Sequence, residues 1–315
     1  MAVFRRLTAV LGALLFATIP ELRAAPPASF AVTSESARAT HEGVNVLSNG
    51  GNAVDAAVTS ALVAGVTNPS SSGLGGGGFA LVFMASEGKA HALDFRETAP
   101  AAVDPTLFEG PREEKRGKLV GVPGEVAGLY ELHRRFGKKP WKELVLHAES
   151  AARRGFAVEQ HLAAVVTQKG HESFKRDAAL KAFLYPAGKA LGLGQNVRRP
   201  ALARTLHRIA QEGPKAFYSG PIAAEIARVA REAGGALAES DLESYSVKER
   251  APLRTTWEGF EVVTMPAPSA GGLMLAQALA LNSRAELRAL GHNTPAYVHV
   301  LAEGMRAISA AIGPL

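Results

Sequence analysis

Six residues, Gly73-Leu74-Gly75-Gly76-Gly77-Gly78, constrain this chain more than any other stretch. A run so poor in side chains buries almost nothing, so a fold keeps it only where the backbone bends sharply or passes close to something bulky. The letters match the dinucleotide pattern G-x-G-x-x-G. That fingerprint needs a strand before it and a helix after it, so that the helix N-terminus meets the pyrophosphate. Here the order is reversed, because helical sequence and Asn68-Pro69-Ser70-Ser71-Ser72 precede and the β-rich residues 79–84 follow. No Lys-Ser or Lys-Thr follows the glycines, which removes a phosphate loop. What remains is a loop pressed against packed chain or against a ligand.

The flanking patterns place this loop between helices and strands. Apolar spacing predicts a helix over 37–47, and Asn49-Gly50-Gly51-Asn52 supplies a left-handed stop and then an N-cap for a helix over 53–66. Residues 79–84 and 89–95, around Ser86-Glu87-Gly88, read as a β-hairpin. Pro123 is expected at N1 of a helix running to Phe136, and a second helix over 141–154 should stop at Gly155. Residues 200–210 and 221–233 repeat this device, closed by Gly213 and by Gly234-Gly235. Residues 253–256 and 260–264 form another expected hairpin around Glu258-Gly259, and two helices follow, starting near Ser269 and Thr294. Hairpins and helices segregate without a long linker or an internal repeat, which points to one α+β domain.

Charge and cysteine content narrow the chemistry. The 315 residues hold 35 Lys and Arg against 29 Asp and Glu, a net +6. No run of five basic residues occurs, and Arg112-Glu113-Glu114-Lys115-Arg116-Gly117-Lys118 mixes both signs, so a nucleic-acid partner is not expected. With no Cys in the chain, disulfide frameworks, thiolate metal sites and thiol nucleophiles are excluded, and any nucleophile must be an oxygen or an amine. The nine histidines form no H-x-x-x-H or H-E-x-x-H pair. His41, His133, His147 and His207 read as surface or packing residues on helices, and neither a metal nor a cofactor is expected.

Residues 1–24 carry Arg5 and Arg6, an uncharged run over 7–19, Pro20 and a small-residue end at Ala24-Ala25, the pattern of a secretory signal peptide. As a helix that run would reach about 20 Å against a hydrocarbon core of about 30 Å, so no lasting membrane span is expected. The reading gives a leader over 1–24 and a mature domain over 25–315 that is exported, either periplasmic or secreted.

Several motifs in one order carry a family resemblance. They are Gly50-Gly51-Asn52-Ala53-Val54-Asp55-Ala56-Ala57, Ser71-Ser72-Gly73-Leu74-Gly75-Gly76-Gly77-Gly78-Phe79, Asp94-Phe95-Arg96-Glu97-Thr98-Ala99-Pro100 and Val120-Gly121-Val122-Pro123-Gly124. Phe217-Tyr218-Ser219-Gly220, Asp241-Leu242-Glu243-Ser244-Tyr245 and Pro266-Ala267-Pro268-Ser269-Ala270-Gly271-Gly272 continue the series. Together they resemble the γ-glutamyltranspeptidases from about residue 31 to about residue 306. The resemblance implies an N-terminal-nucleophile hydrolase of the αββα sandwich type, here an incomplete one that corresponds to the large-subunit part. It implies hydrolysis or transfer of the γ-glutamyl group of glutathione and related amides. In that chemistry a precursor cuts itself, and the new N-terminal Thr of the small subunit attacks the amide while its own α-amino group takes the proton.

The family's Thr-Thr motif is not found. Thr255-Thr256 is followed by Trp257 and lies in an expected strand, where two β-branched residues need no catalytic explanation. The chain is therefore expected to stop before the small subunit, to contain no catalytic residue and to be inactive alone. The alternatives are a non-catalytic γ-glutamyl-binding remnant and a large subunit that needs a separately encoded small subunit. The resemblance assigns Arg96 to the α-carboxylate of the γ-glutamyl donor, a task suited to a planar guanidinium that offers two parallel hydrogen bonds. Glu97 is a candidate to orient that guanidinium. Ser269 is expected to cap the helix that follows it.

Overall fold

The computed structural model describes residues 29–104, 106, 117–168 and 171–312. The leader read in residues 1–24 and the mixed-charge residues 112–116 lie outside the described residues. The chain divides into two compact units, Met1–Ala31 and Val32–Leu315. Of the first, residues 29–31 are described, exposed and without regular structure.

Helix α1 (Ala37–Ser48) turns at Gly50, whose φ of +83° only glycine adopts without strain, into α2 (Ala53–Thr67). The expected cap is present as a full capping box. Asn52 Oδ1 accepts from the Asp55 amide at 2.9 Å, and Asp55 Oδ2 accepts from the Asn52 amide at 2.9 Å. Asp55 also accepts from the Lys138 and Lys139 amides at 2.9 and 3.2 Å, which ties a distant loop to the start of α2. Apolar and small on every side, α2 is buried along nearly its whole length and forms the centre of the core. Packed around it are α1, α3 (Glu125–Phe136) and α4 (Trp141–Arg154), with α4 in turn against α7 (Pro200–Glu212). Between α4 and α7 lie the short strands β3 (Phe156–Ala157) and β4 (Asn196–Val197), which pair antiparallel, and the helices α5 (Gln160–Thr167) and α6 (Ala178–Leu184).

Strands β1 (Gly78–Met84) and β2 (Lys89–Phe95) make the expected hairpin, with Gly78 opposite Phe95 and Met84 opposite Lys89. A third strand, β5 (Lys248–Arg250), joins the free edge of β2 with Ala92 opposite Arg250. Nothing in Lys248-Glu249-Arg250 alternates in polarity, so sequence patterning passed over it. Helix α3 covers this sheet, and Gly128 lets it descend onto the Phe95 ring, with which any Cβ there would collide.

Helix α3 begins later than expected. Pro123 is not its N1 residue, because the two residues before the helix are committed to other contacts. The Pro123 carbonyl accepts from the Tyr218 hydroxyl at 2.8 Å, and the Gly124 and Glu125 amides both donate to the Gly76 carbonyl at 2.8 and 2.9 Å. The helix N-terminus is thus docked on the glycine run.

After α7 come α8 (Lys215–Tyr218), α9 (Pro221–Glu232) and α10 (Glu239–Glu243), then the hairpin β6 (Leu253–Trp257) and β7 (Phe260–Thr264). Glu258 and Gly259 both have positive φ in this two-residue turn, as the strand twist requires. Thr255 and Thr256 are ladder residues of β6, opposite Val262 and Glu261. The last part holds three helices rather than two: α11 (Ala270–Leu281), α12 (Arg284–Leu290) and α13 (Pro295–Ile312). The extra break comes from Ser283, which forms a capping box with Glu286 and starts α12. Ser269 stands at the N-cap position of α11 but its hydroxyl makes no cap bond. Helices and antiparallel strands are segregated along the chain, an α+β fold. Among the described residues no helix is long and apolar enough to cross a membrane.

Candidate functional site

A cleft of about 530 Å³ opens where four elements end. Its walls are Gly65 near the C-terminus of α2, residues 69–77 of the glycine loop, Arg96 and Glu97 just past β2, and Glu125, the first residue of α3. Arg199 and Leu202 at the start of α7 close the far side. That volume falls within the roughly 300–1,000 Å³ typical of small-molecule sites.

The glycine run serves both purposes that its composition left open. Gly77 lies so close to the Phe95 carbonyl that a side chain cannot fit, and a Cβ at Gly65 would sit 2.9 Å from Gly73 Cα. At Gly75 a Cβ would meet nothing within 4 Å, because the loop there faces the open cleft. Packed chain therefore explains both ends of the run, and open space for a ligand its middle.

Arg96 is held by its backbone and half-exposed at its tip. Its amide donates to Asp94 Oδ1 at 3.1 Å, and its carbonyl accepts from the Tyr245 hydroxyl at 3.0 Å. Asp94 is itself fixed by Arg250 of β5, whose Nε and Nη2 reach Oδ2 at 3.1 and 2.7 Å. Burial, with Asp94 and Glu97 adding to it, pushes the Tyr245 phenol up, so that hydroxyl stays protonated and donating. The Arg96 side chain is 51% exposed, and its Nη1 lies 3.3 Å from Glu97 Oε2. The Phe79 ring flanks the guanidinium 5.9 Å from its centroid. Arg96 and Glu97, adjacent in the sequence reading, are thus a real pair on the cleft wall. The backbone frame around them, from Asp94, Arg250 and Tyr245, was not anticipated.

Two further cleft residues were missed altogether. Glu125 is drawn to the cleft by the docking of α3 on Gly76, and burial, reinforced by the charge of Glu97, raises its carboxyl from the usual 4.5 to about 7. Near neutral pH it can hold or release a proton. Arg199 stands at the N-cap of α7, and burial lowers its guanidinium to about 10, which leaves it a cation at neutral pH. Sequence carried no signal for either, since both are ordinary helix-start residues until the tertiary fold brings them to one cleft.

Two of the helix histidines make contacts away from the cleft. His133 Nε2 meets the Lys139 carbonyl at 2.6 Å, and His147 Nδ1 meets Glu42 Oε2 at 2.7 Å. Among the described residues no three His, Cys, Asp or Glu side chains converge as metal ligands. The cleft lining offers serine hydroxyls but neither a Thr hydroxyl nor a Lys amine.

The chain is similar to known proteins along most of its length. Residues 39–312 match the family model described as Gamma-glutamyltranspeptidase. The chain is 40% identical over 279 residues to glutathione hydrolase 2 of Arabidopsis thaliana, covering 88% of this chain and 48% of that protein. It is 35% identical over 279 residues to the glutathione hydrolase proenzyme of Escherichia coli, covering 86% and 48%. The chain therefore spans about half the length of these curated relatives. Among solved structures, Helicobacter pylori γ-glutamyltranspeptidase superposes with a TM-score of 0.82 at 32% identity, covering 90% of this chain and 83% of that one. The Bacillus anthracis transpeptidase CapD gives a TM-score of 0.76 at 31% identity, covering 90% and 92%.

Proposed function

Because the chain belongs to the γ-glutamyltranspeptidase family, we propose that its cleft binds the γ-glutamyl end of glutathione and related amides, with Arg96 reading the α-carboxylate. The observation that carries this reading is the construction around Arg96. A strand-end backbone pinned at both its amide and its carbonyl presents a half-exposed guanidinium to the cleft, with Glu97 beside it to set the plane of the fork. The carboxylate so held aims the γ-carbonyl at a nucleophile supplied from elsewhere.

The reaction so served is acyl transfer. A Thr hydroxyl attacks the γ-carbonyl, its proton passes through the Thr α-amine to the departing amine, and a γ-glutamyl ester remains. Water then gives hydrolysis, and an amine gives transpeptidation. The described cleft holds no Thr hydroxyl, so these residues act as the donor-binding part, and the nucleophile belongs to a small-subunit polypeptide. Exposed apolar side chains support such a partner: Leu81 and Phe83 on β1, Phe260 on β7, and Leu273, Leu275 and Leu281 on α11. The same cleft without that partner binds γ-glutamyl compounds and does not turn them over. The leader read in residues 1–24 supports export, and hence a periplasmic or secreted site of action.

Calorimetric titration of the purified chain with glutathione tests the reading. Arg96→Ala should weaken binding by about 10- to 100-fold, the worth of a charge-assisted pair of hydrogen bonds. Wild-type affinity in that variant would refute the assignment. Turnover of a γ-glutamyl anilide should appear only when a Thr-initiated small subunit is added.

A further inference from the structure

The cleft contains a second arginine that the donor-binding reading does not use. Its backbone is fixed, since the Arg199 amide donates to the Ala152 carbonyl at 2.8 Å and its carbonyl accepts from the Ala203 amide at 2.9 Å. Its Nη1 donates to the Gly65 and Val66 carbonyls at 3.1 and 3.0 Å, at the C-terminal end of α2. The Phe183 ring supports the guanidinium at 4.9 Å from its centroid. A guanidinium has five N–H donors, and those two bonds use the pair on Nη1. The donors on Nε and Nη2 have no partner among the described residues, and no carboxylate there lies within ion-pair distance.

Such a cation differs from Arg96, which has Glu97 beside it. Arg199 is half-buried, and the desolvation that depresses its guanidinium toward about 10 is not offset by a counter-charge. The partial negative end of α2 compensates only in part. It lines the same cleft as Arg96, at the N-terminus of α7, where the helix dipole also favours an anion. A ligand anion would meet the three idle donors and supply the missing charge.

We propose that Arg199 is a second carboxylate-reading residue of this cleft, one that selects γ-glutamyl compounds whose other end also carries a carboxylate, as the glycine end of glutathione does. The inference rests on the γ-glutamyl reading of Arg96 and extends it to the leaving-group side. Arg199 takes no part in bond making. It favours peptide-like dianionic donors over γ-glutamyl amines, whose far end is neutral, and over donors whose far end is cationic.

The test is the ratio of two affinities measured by calorimetry on the same protein: glutathione against its glycine ethyl ester, which differ only at the distal carboxylate. Wild type should prefer the acid by about 10-fold or more. Arg199→Gln should bring the ratio close to one, and Arg199→Lys, which keeps the charge and loses the fork, should fall between. A purely structural role in closing α2 would weaken both ligands alike and leave the ratio at its wild-type value. That result, or a wild-type ratio near one, overturns the proposal. Arg96→Ala separates the two readings, since it should weaken both ligands equally. Unchanged affinity for both in that variant would overturn the γ-glutamyl reading, whatever the ratio does in the Arg199 variants.

Discussion

Glu125 should make this fold less stable as pH rises through neutrality, and Glu125→Gln should remove that loss. The folded carboxyl titrates near 7 against the usual 4.5, chiefly because α3 begins in the cleft and takes the group out of water. Between those two values the folded chain keeps a proton that the unfolded chain has released, so stability falls with increasing pH across this window and levels off above 7. At about 1.4 kcal/mol per pH unit the full span corresponds to about 3 kcal/mol. Water reaching the open side of the cleft lowers the working figure to about 2 kcal/mol. Glutamine has the shape of the protonated acid and never ionises. Urea unfolding at pH 4.5 and pH 8.5 should therefore give equal stabilities for the two proteins at the lower pH. At the higher pH the variant should be more stable by about 2 kcal/mol, or roughly 4 °C in Tm. All other groups cancel in this double difference. If the two proteins lose stability in parallel between the two pH values, Glu125 ionises normally and the account of the cleft is wrong. Glu97→Gln should recover only a minor part of the effect, because charge repulsion is the smaller of the two causes.

Two other expectations concern the framework. Gly124→Ala would drive a methyl into the Phe95 carbonyl and the Tyr245 hydroxyl, and should cost about 3 kcal/mol in chemical denaturation. Gly75→Ala, whose methyl would meet nothing, should stay within about 0.5 kcal/mol of wild type, and equal losses in the two variants would contradict the close packing at Gly124 and the open space at Gly75. Asp55→Ala removes the acceptor of three backbone amides, those of Asn52, Lys138 and Lys139, and should cost about 3 kcal/mol. Asp55→Asn should recover part of it, and no recovery would mean that charge rather than hydrogen bonding holds the corner.

Local chemistry was legible in the amino-acid sequence wherever neighbouring residues decide the outcome. The Asn52–Asp55 capping box, the glycine stop before it, the hairpin ending at Phe95 and the Glu258-Gly259 turn all follow from backbone preferences within a few residues. The capping box at Ser283 and Glu286 was legible in the same way and was passed over. Arg96 became meaningful through its motif, not through composition. Long-range packing decided the rest. Glu125, Arg199, Arg250 and Tyr245 meet around the cleft only because α3 docks on Gly76, α7 starts beside the end of α2, and β5 adds to β2. None of these approaches leaves a periodic trace, since each depends on which surfaces meet. The sequence by itself therefore determined the loops and the caps, and singled out Arg96. Only the tertiary structure decided that a second arginine and a raised carboxyl share its cleft, because desolvation and charge pairing exist only once distant segments exclude water together.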